Sequence, residues 1–380
     1  MNEVDAQTRA ETVGSLLRPA GVPGALASDA PEASEVLDAA VLAAISIQTE
    51  AGLDIITDGE MRRTSWAETP RYLDCFEKIT SGRGLHWRGG TGTAAAPPAY
   101  DVVVRRVAEA ARLGDRAGQY AFLAEHAEVR TKFTMAAPSY HRRYWSAEHS
   151  SAAYDNIEDY LSEIRDYLRE VVQRLVGLGC DYIQLDAPNY GSLCDAETRS
   201  RLIAEGHDIE AEIGFDAELD NSLFAGVSGV TRALHICRGN SSGGRWHSAG
   251  GYGAISGQLF GLLDFDRLLL EYDSDRAGTF GPLSDVKPGV VAVLGLLTTK
   301  SGELEDVDQV RGRVAEAATV KPLDELAIST QCGFASVAAG NPVTPEQQQR
   351  KLALVARLAR ETWPARAAEP AGRAPSRPTR

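Results

Sequence analysis

The sequence predicts an α/β protein, a (β/α)₈ TIM-type barrel with a segment inserted between its second and third strands. Three observations predict it. Eight short apolar, β-rich runs are spaced along the 380 residues. Most of them lead into amphipathic sequence of helical period, the alternation of a parallel sheet with helical crossovers. Polar residues suited to chemistry recur at the ends of these runs, where a barrel places its site. The rival architecture is a doubly wound open sheet, and the Gly-x-Gly-x-x-Gly turn that would support it does not follow the first run.

The predicted strands are residues 11–14, 54–57, 132–135, 182–186, 232–237, 267–271, 290–296 and 326–329. The clearest helix spans about 157–178, where Ile157, Tyr160, Leu161, Ile164, Leu168, Val171, Val172, Leu175 and Leu178 keep a 3.6 period on one face. Further helices are expected near 33–51, 197–213, 306–318 and 345–362. The last has a complete start signal: Thr344 as N-cap, Pro345 at the first helical position and Gln347 closing a capping box.

Residues 8–364 are read as one barrel, interrupted by an insertion at about 78–130 that opens on Gly- and Pro-rich sequence and carries a hairpin and a helix. Such an insertion serves either as a lid over the site or as a surface decoration. The Pro-, Ala- and Arg-rich tail 365–380 has no apolar period and is expected to be disordered.

Composition narrows the function. The net charge of -14 disfavours nucleic acid and anionic membrane surfaces, which need clustered Lys and Arg. No apolar run approaches the roughly 18 residues of a spanning helix, and the opening Met1-Asn2-Glu3-Val4-Asp5 lacks the pattern of a secretory leader. Five cysteines are too few and odd in number for a disulfide scaffold. The expectation is a cytoplasmic protein with reduced thiols.

Ser15, Asp58, Glu60, Asp186, His235, Cys237, Glu271 and Cys332 all fall at ends of predicted strands. Residues i and i+2 of a strand face the same side, so His235 and Cys237 can address one ion. Glu271 and Cys332 close two other strands. Imidazole, thiolate and carboxylate are the groups that bind Zn²⁺; ordinary burial of each residue is the alternative. Cys75 and Cys180 read as core, and Cys194 as a residue near the site without a partner. His86, His126, His141, His149 and His207 read as surface residues, and His247 is left open.

These residues stand in motifs that resemble the catalytic barrel of cobalamin-independent methionine synthase. The similar segments are Thr12-Val13-Gly14-Ser15-Leu16-Leu17-Arg18-Pro19, Asp54-Ile55-Ile56-Thr57-Asp58-Gly59-Glu60-Met61-Arg62-Arg63 and Tyr182-Ile183-Gln184-Leu185-Asp186. They continue with His235-Ile236-Cys237, Gly295-Leu296-Leu297-Thr298-Thr299-Lys300 and Ser329-Thr330-Gln331-Cys332-Gly333, in order from about residue 10 to 360. The resemblance implies Zn²⁺ held by His235, Cys237, Cys332 and Glu271. It also implies a substrate thiol positioned by Ser15, Glu60 and Asp186, with Asp186 and Glu60 as the catalytic carboxylates.

The family's fourth-strand motif continues Asp-Glu-Pro-Ala, whereas this chain reads Asp186-Ala187-Pro188-Asn189-Tyr190. That departure, with Cys237-Arg238-Gly239-Asn240 and Leu270-Glu271-Tyr272-Asp273, looks more like the single-barrel epoxyalkane:coenzyme M transferase branch. The expected function is thus a zinc-dependent S-alkyltransferase joining a small thiol to a small carbon electrophile such as an epoxide. The alternative is homocysteine S-methylation from a methyltetrahydrofolate-type methyl donor. A zinc-binding sensor or partner protein without turnover is the reading from another class. Arg18, Arg62, Arg238 and Arg245 are candidates for gripping a substrate carboxylate or sulfonate. Whether the chain forms a homo-oligomer is left open.

Overall fold

The computed structural model describes residues 8–80, 87–90 and 100–364. Eight parallel strands close into a barrel: β1 Ala10–Glu11, β2 Ile55–Ile56, β3 in two pieces Arg130–Thr131 and Phe133–Ala136, β4 Tyr182–Asp186, β5 Thr231–Ile236, β6 Arg267–Glu271, β7 Val291–Leu297 and β8 Leu326–Thr330. Each pairs with the next in sequence, and β8 returns to β1 through Ala10 opposite Ile328 and Glu11 opposite Ser329. Lys132 divides β3 but keeps the ladder, its N–H donating to the Ile56 carbonyl at 3.0 Å. The (β/α)₈ class read from the sequence is the one the chain adopts.

The crossover helices are α1 Pro31–Ala51, α2 Gly118–His126, α3 Ile157–Gly177, α4 Ile209–Ser222, α5 Ser256–Leu262, α6 Val307–Ala318 and α7 Pro345–Thr362. Asn156 caps α3 by accepting from Asp159 N–H, and Thr344 with Gln347 forms the capping box that starts α7. The single helix expected over 197–213 is two. Ala196–Ala204 ends, and Asp208 then starts α4 by accepting from Ala211 N–H. Between β6 and β7 the chain runs in 3₁₀ turns without an α-helix among the described residues.

Strand alternation sorts the core into two. Ile183, Leu185, Leu234, Ile236, Leu268 and Leu270 point outward to the helices. Tyr182, Ala233 and Leu269 point inward with Val13, Ile55, Val291, Val293 and Ala327. The interior also holds buried charge. Glu11 meets Lys132 Nζ at 2.6 Å and Arg267 Nη2 at 2.8 Å, and accepts from the Tyr182 hydroxyl at 2.9 Å. Lys132 Nζ donates on to Gln184 Oε1 at 2.7 Å, and Gln184 Nε2 donates to Asp186 Oδ1 at 2.7 Å. A hydrogen-bonded ladder thus rises through the barrel to the C-terminal end of β4.

Between β2 and β3, Phe76–Ile79 and Tyr100–Val103 pair as an antiparallel hairpin, and α2 follows. The tail 365–380 and residues 81–86 and 91–99 of the insertion lie outside the described residues. No helix among the described residues is long and apolar enough to cross a membrane.

Candidate metal centre

His235 lies at the end of β5 and Cys237 directly after it, and Cys332 follows β8, two strands, β6 and β7, standing between. One ligand atom from each, an imidazole nitrogen and two sulfurs, lies within 4.8 Å of the others, and all three residues are buried. His235 is oriented for ligation. Its Nδ1 donates to the Leu269 carbonyl at 3.1 Å, while Nε2 is buried without a hydrogen-bond partner among the described residues. A backbone bond that fixes the tautomer and frees the other nitrogen is the usual support of a ligating histidine. A hydrogen bond links the two thiols. A hydrogen bond from Cys237, aided by His235, holds Cys332 well below the ordinary thiol range, and the same bond together with burial pushes Cys237 up. One nitrogen and two sulfurs form a donor set that suits a Zn²⁺-type ion.

The two loops are locked together. Asn240, three residues past Cys237, donates through Nδ2 to the Gly333 carbonyl at 2.7 Å and to Ser336 Oγ at 2.9 Å, and Ser336 Oγ lies 3.6 Å from Cys332 Sγ. Asn341 Nδ2 donates in turn to Asn240 Oδ1 at 3.0 Å. Two glycines permit the close approach. A Cβ on Gly191 would fall 1.8 Å from the Cys237 carbonyl oxygen, and one on Gly333 would fall 2.0 Å from Ser15 Oγ.

Glu271, expected as the fourth ligand, lies outside the three-residue group and is held by neighbouring arginines. Its Oε2 accepts from Arg238 N–H at 2.8 Å and its Oε1 pairs with Arg276. Burial alone would raise this carboxyl, but Lys300, Arg276 and Arg238 outweigh burial and hold it at about 2.

Asp186 stands opposite His235 in the ladder between β4 and β5. Burial raises its carboxyl to about 7, against the pull of His235 and the Gln184 bond. Glu60 sits on the β2 loop with a left-handed backbone (φ 57), where Asp58 Oδ1 accepts from its N–H at 2.8 Å. Strain of this kind is held in place only where surrounding contacts over-determine it. Glu60 Oε1 accepts from Thr134 Oγ1 at 2.8 Å and lies 3.8 Å from Arg63, while Oε2 is buried without a hydrogen-bond partner among the described residues. Burial raises the Glu60 carboxyl, against Arg63 and Arg18. Gly14 touches the same region, since a Cβ there would lie 2.8 Å from Glu60 Oε1, while the Ser15 side chain packs against Gly333.

The arginines expected to grip an acid are otherwise occupied. Arg18 donates to the carbonyls of Arg63, Ala335 and Glu60 and so ties the β1, β2 and β8 loops together. Arg238 donates to the Gly250, Glu271 and Ala277 carbonyls and stacks 4.1 Å from the Tyr252 ring. Arg62 pairs with Asp38 and lies over Phe122, and Arg245 donates to the Ser242 carbonyl.

His141 is buried, not a surface residue, with Nδ1 bonded to the Ala137 carbonyl and Nε2 to Thr69 Oγ1, both at 2.8 Å. His247 packs edge-on against Trp87, and burial lowers it to about 4. His86 lies outside the described residues. Cys75, Cys180 and Cys194 are all buried. The sequence motifs contain Asn240 and Lys300 without giving either a role, and the brace Asn341 stands outside every motif.

No family model matches the chain. It is 33% identical to the uncharacterized protein YxjH of Bacillus subtilis, the alignment covering 94% of this chain and 95% of that one. It is 25% identical to 2-hydroxypropyl-CoM lyase of Xanthobacter autotrophicus, over 79% of this chain and 80% of that one. Among solved structures it matches a putative vitamin-B12 independent methionine synthase from Listeria monocytogenes with a TM-score of 0.66 and 26% identity, covering 93% of this chain and 98% of that one. The chain therefore belongs, with YxjH, to the superfamily of cobalamin-independent methionine synthase catalytic barrels.

Proposed function

We propose that the protein is a zinc-dependent thiol S-alkyltransferase, in which a small thiol bound at the His235–Cys237–Cys332 cluster attacks a small strained electrophile of the epoxide type. The observation that carries this reading is the cluster itself: two buried sulfurs and an imidazole nitrogen gathered within 4.8 Å at the C-terminal end of the barrel strands. Zn²⁺ bound there would lower the pKa of a substrate thiol and hold its thiolate as a nucleophile at neutral pH.

The chain's own residues do the rest. His235 presents Nε2 because Leu269 holds its Nδ1–H. Asp186, steadied by Gln184, and Glu60 Oε2, which has no hydrogen-bond partner among the described residues, offer acceptors to donor groups on the thiol, and Ser15 stands against Gly333 beside Cys332. Fixing sulfur and carbon in one orientation supplies much of the rate. In the reaction a C–S bond forms and an epoxide C–O bond breaks. The proton that leaves sulfur ends on the ring oxygen, so no further reactant is required.

Ala187 and Asn189 support an epoxide over a folate methyl donor, because they stand where the methionine synthases carry Glu and Ala. Asn189 Nδ2 is spent on Ser139 Oγ at 3.1 Å. Similarity to the Listeria protein favours methyl transfer as the second reading. The test sets zinc-loaded enzyme with small thiols and simple epoxides beside the same enzyme with homocysteine and methyltetrahydrofolate. Thioether formation only from the epoxide supports the proposal. Robust methionine formation from the folate overturns it in favour of the second reading, and no product from either pair favours a zinc-binding protein without turnover.

A further inference from the structure

Residues 87–90, a described piece of the insertion between β2 and β3, lie along the loop that follows Cys237. The contact starts in the backbone. Arg88 N–H donates to the Trp246 carbonyl at 2.7 Å, and Trp246 N–H donates back to the Arg88 carbonyl at 3.1 Å, an antiparallel bridge. Two left-handed glycines then bring the chain close against the loop. A Cβ on Gly89 (φ 63) would fall 2.6 Å from Trp246 Nε1, and one on Gly90 (φ 77) would fall 2.6 Å from the Gly243 carbonyl oxygen. A side chain at either place would push the two segments apart.

Arg88 fastens the contact. Its Nη1 meets Asp195 Oδ2 at 2.9 Å and its Nη2 meets Glu197 Oε2 at 2.7 Å. Asp195 is a junction: the same Oδ2 accepts from Ala249 N–H of the Cys237 loop at 3.0 Å, while Oδ1 accepts from Thr198 N–H and caps the helix Ala196–Ala204. The Arg88 guanidinium also lies 5.7 Å from the Trp246 ring, and Arg276, the partner of Glu271, lies 5.0 Å from the same ring. The contact runs inward as well. Trp87 packs edge-on against His247 at 5.4 Å, and a Cβ on Gly239 would fall 2.2 Å from His247 Cδ2. Gly239 stands two residues past Cys237. Partly exposed ion pairs are individually weak. This one shares its acceptor with the loop that carries a ligand, so its loss falls on the opening of that loop and not on the barrel.

Resting on the metal reading of the cluster, we infer that residues 87–90 clamp the Cys237 loop and that Arg88, through Asp195 and Trp246, is a positioning residue that sets how readily the His235–Cys237–Cys332 cluster opens. The insertion is then a working part of the centre, not a surface decoration.

The test compares full-length wild type with Arg88→Ala, Arg88→Lys and Gly90→Val in two measurements. The zinc-loaded proteins are mixed with a chromophoric chelator and the rate of zinc loss is followed. The zinc-free proteins are treated with iodoacetamide, and alkylation of Cys237 and Cys332 is read by mass spectrometry against Cys180, which precedes β4 at the opposite end of the barrel. Arg88→Ala and Gly90→Val should speed both zinc loss and Cys237 alkylation about threefold or more, with Cys180 unchanged, the scale of one or two partly exposed ion pairs. Arg88→Lys should keep part of the protection, because it keeps the charge but loses the fork that spans two carboxylates. Raising salt from about 0.05 to about 0.5 M should speed zinc loss from the wild type more than from Arg88→Ala. The inference is overturned if Arg88→Ala and Gly90→Val match the wild type in both rates, or if Cys180 gains as much as Cys237, which would mean that the whole fold has loosened. A wild type that takes up no zinc overturns the metal reading instead, and the alkylation rates alone then decide the clamp.

Discussion

Asn240 donates to the Gly333 carbonyl at 2.7 Å, so the loop that carries Cys237 holds the loop that carries Cys332. The two sulfurs come from strands far apart in sequence, and their separation is set by this brace and its neighbours Ser336 and Asn341. Asn240→Ala removes two buried hydrogen bonds, to the Gly333 carbonyl and to Ser336 Oγ, and should cost about 1–3 kcal/mol in stability. Zinc affinity should fall about 10–100-fold, as it does when supports of ligands are removed. Metal-buffer competition checks it; unchanged affinity would show that the loops hold themselves.

Gly191→Ala should disturb the site from outside it. The added Cβ would fall 1.8 Å from the Cys237 carbonyl oxygen, so the β4 loop or the Cys237 backbone has to move. The expected outcome is lost zinc affinity in a protein whose far-ultraviolet circular dichroism is unchanged. A variant that keeps wild-type affinity would show that this contact relaxes without touching the ligands.

Asp186→Asn should keep zinc and lower turnover or raise KM, the behaviour of a lost positioning contact. Its carboxylate is already bonded by Gln184 and lies outside the three-residue group. Loss of metal in this variant would place Asp186 among the ligands.

The buried Glu11–Lys132 pair makes a prediction about stability and pH. Burial opposes ionisation of Glu11, but Lys132 and Arg267 outweigh it and lower its carboxyl from 4.5 to about 2. Because the folded value is depressed, the stabilisation is complete above about pH 4.5 and is lost as pH falls toward 2. It amounts to about 3 kcal/mol, at 1.36 kcal/mol per unit. Lys132→Met should destabilise by about 3–5 kcal/mol at neutral pH and flatten the dependence between pH 5 and 3. Urea unfolding of both proteins across that range measures it; a variant within 1 kcal/mol of wild type would show that Arg267 alone suffices.

Much of the site was legible in the sequence because strand period places i and i+2 on one side, which put His235 with Cys237 and marked the ends of β4, β6 and β8. The strand positions followed from apolar runs bounded by turns, and the start of α7 from Thr344 and Gln347. What the sequence hid was the partner of each charge. Arg18 and Arg238 have the residue type of an acid grip, but they bond backbone carbonyls supplied by other loops. Glu271 has the residue type of a ligand, yet Arg276 and the Arg238 N–H take both its oxygens. Lys132 and Arg267 lie within apolar strands, and only closure of the barrel brings them to Glu11. His141 looked exposed because its sequence neighbours are polar, whereas its own ring is enclosed by Ala137 and Thr69.

The central claim is that His235, Cys237 and Cys332 hold Zn²⁺ and that a substrate thiol joins them there. Zinc K-edge X-ray absorption on purified protein, with and without a bound small thiol, tests it most directly. The account predicts near-stoichiometric zinc with two sulfur neighbours in the free protein and three when the thiol is present, and loss of most zinc in the Cys237→Ser, Cys332→Ser double variant. Full zinc occupancy in that double variant, or a sulfur count that does not change on adding thiol, would contradict it.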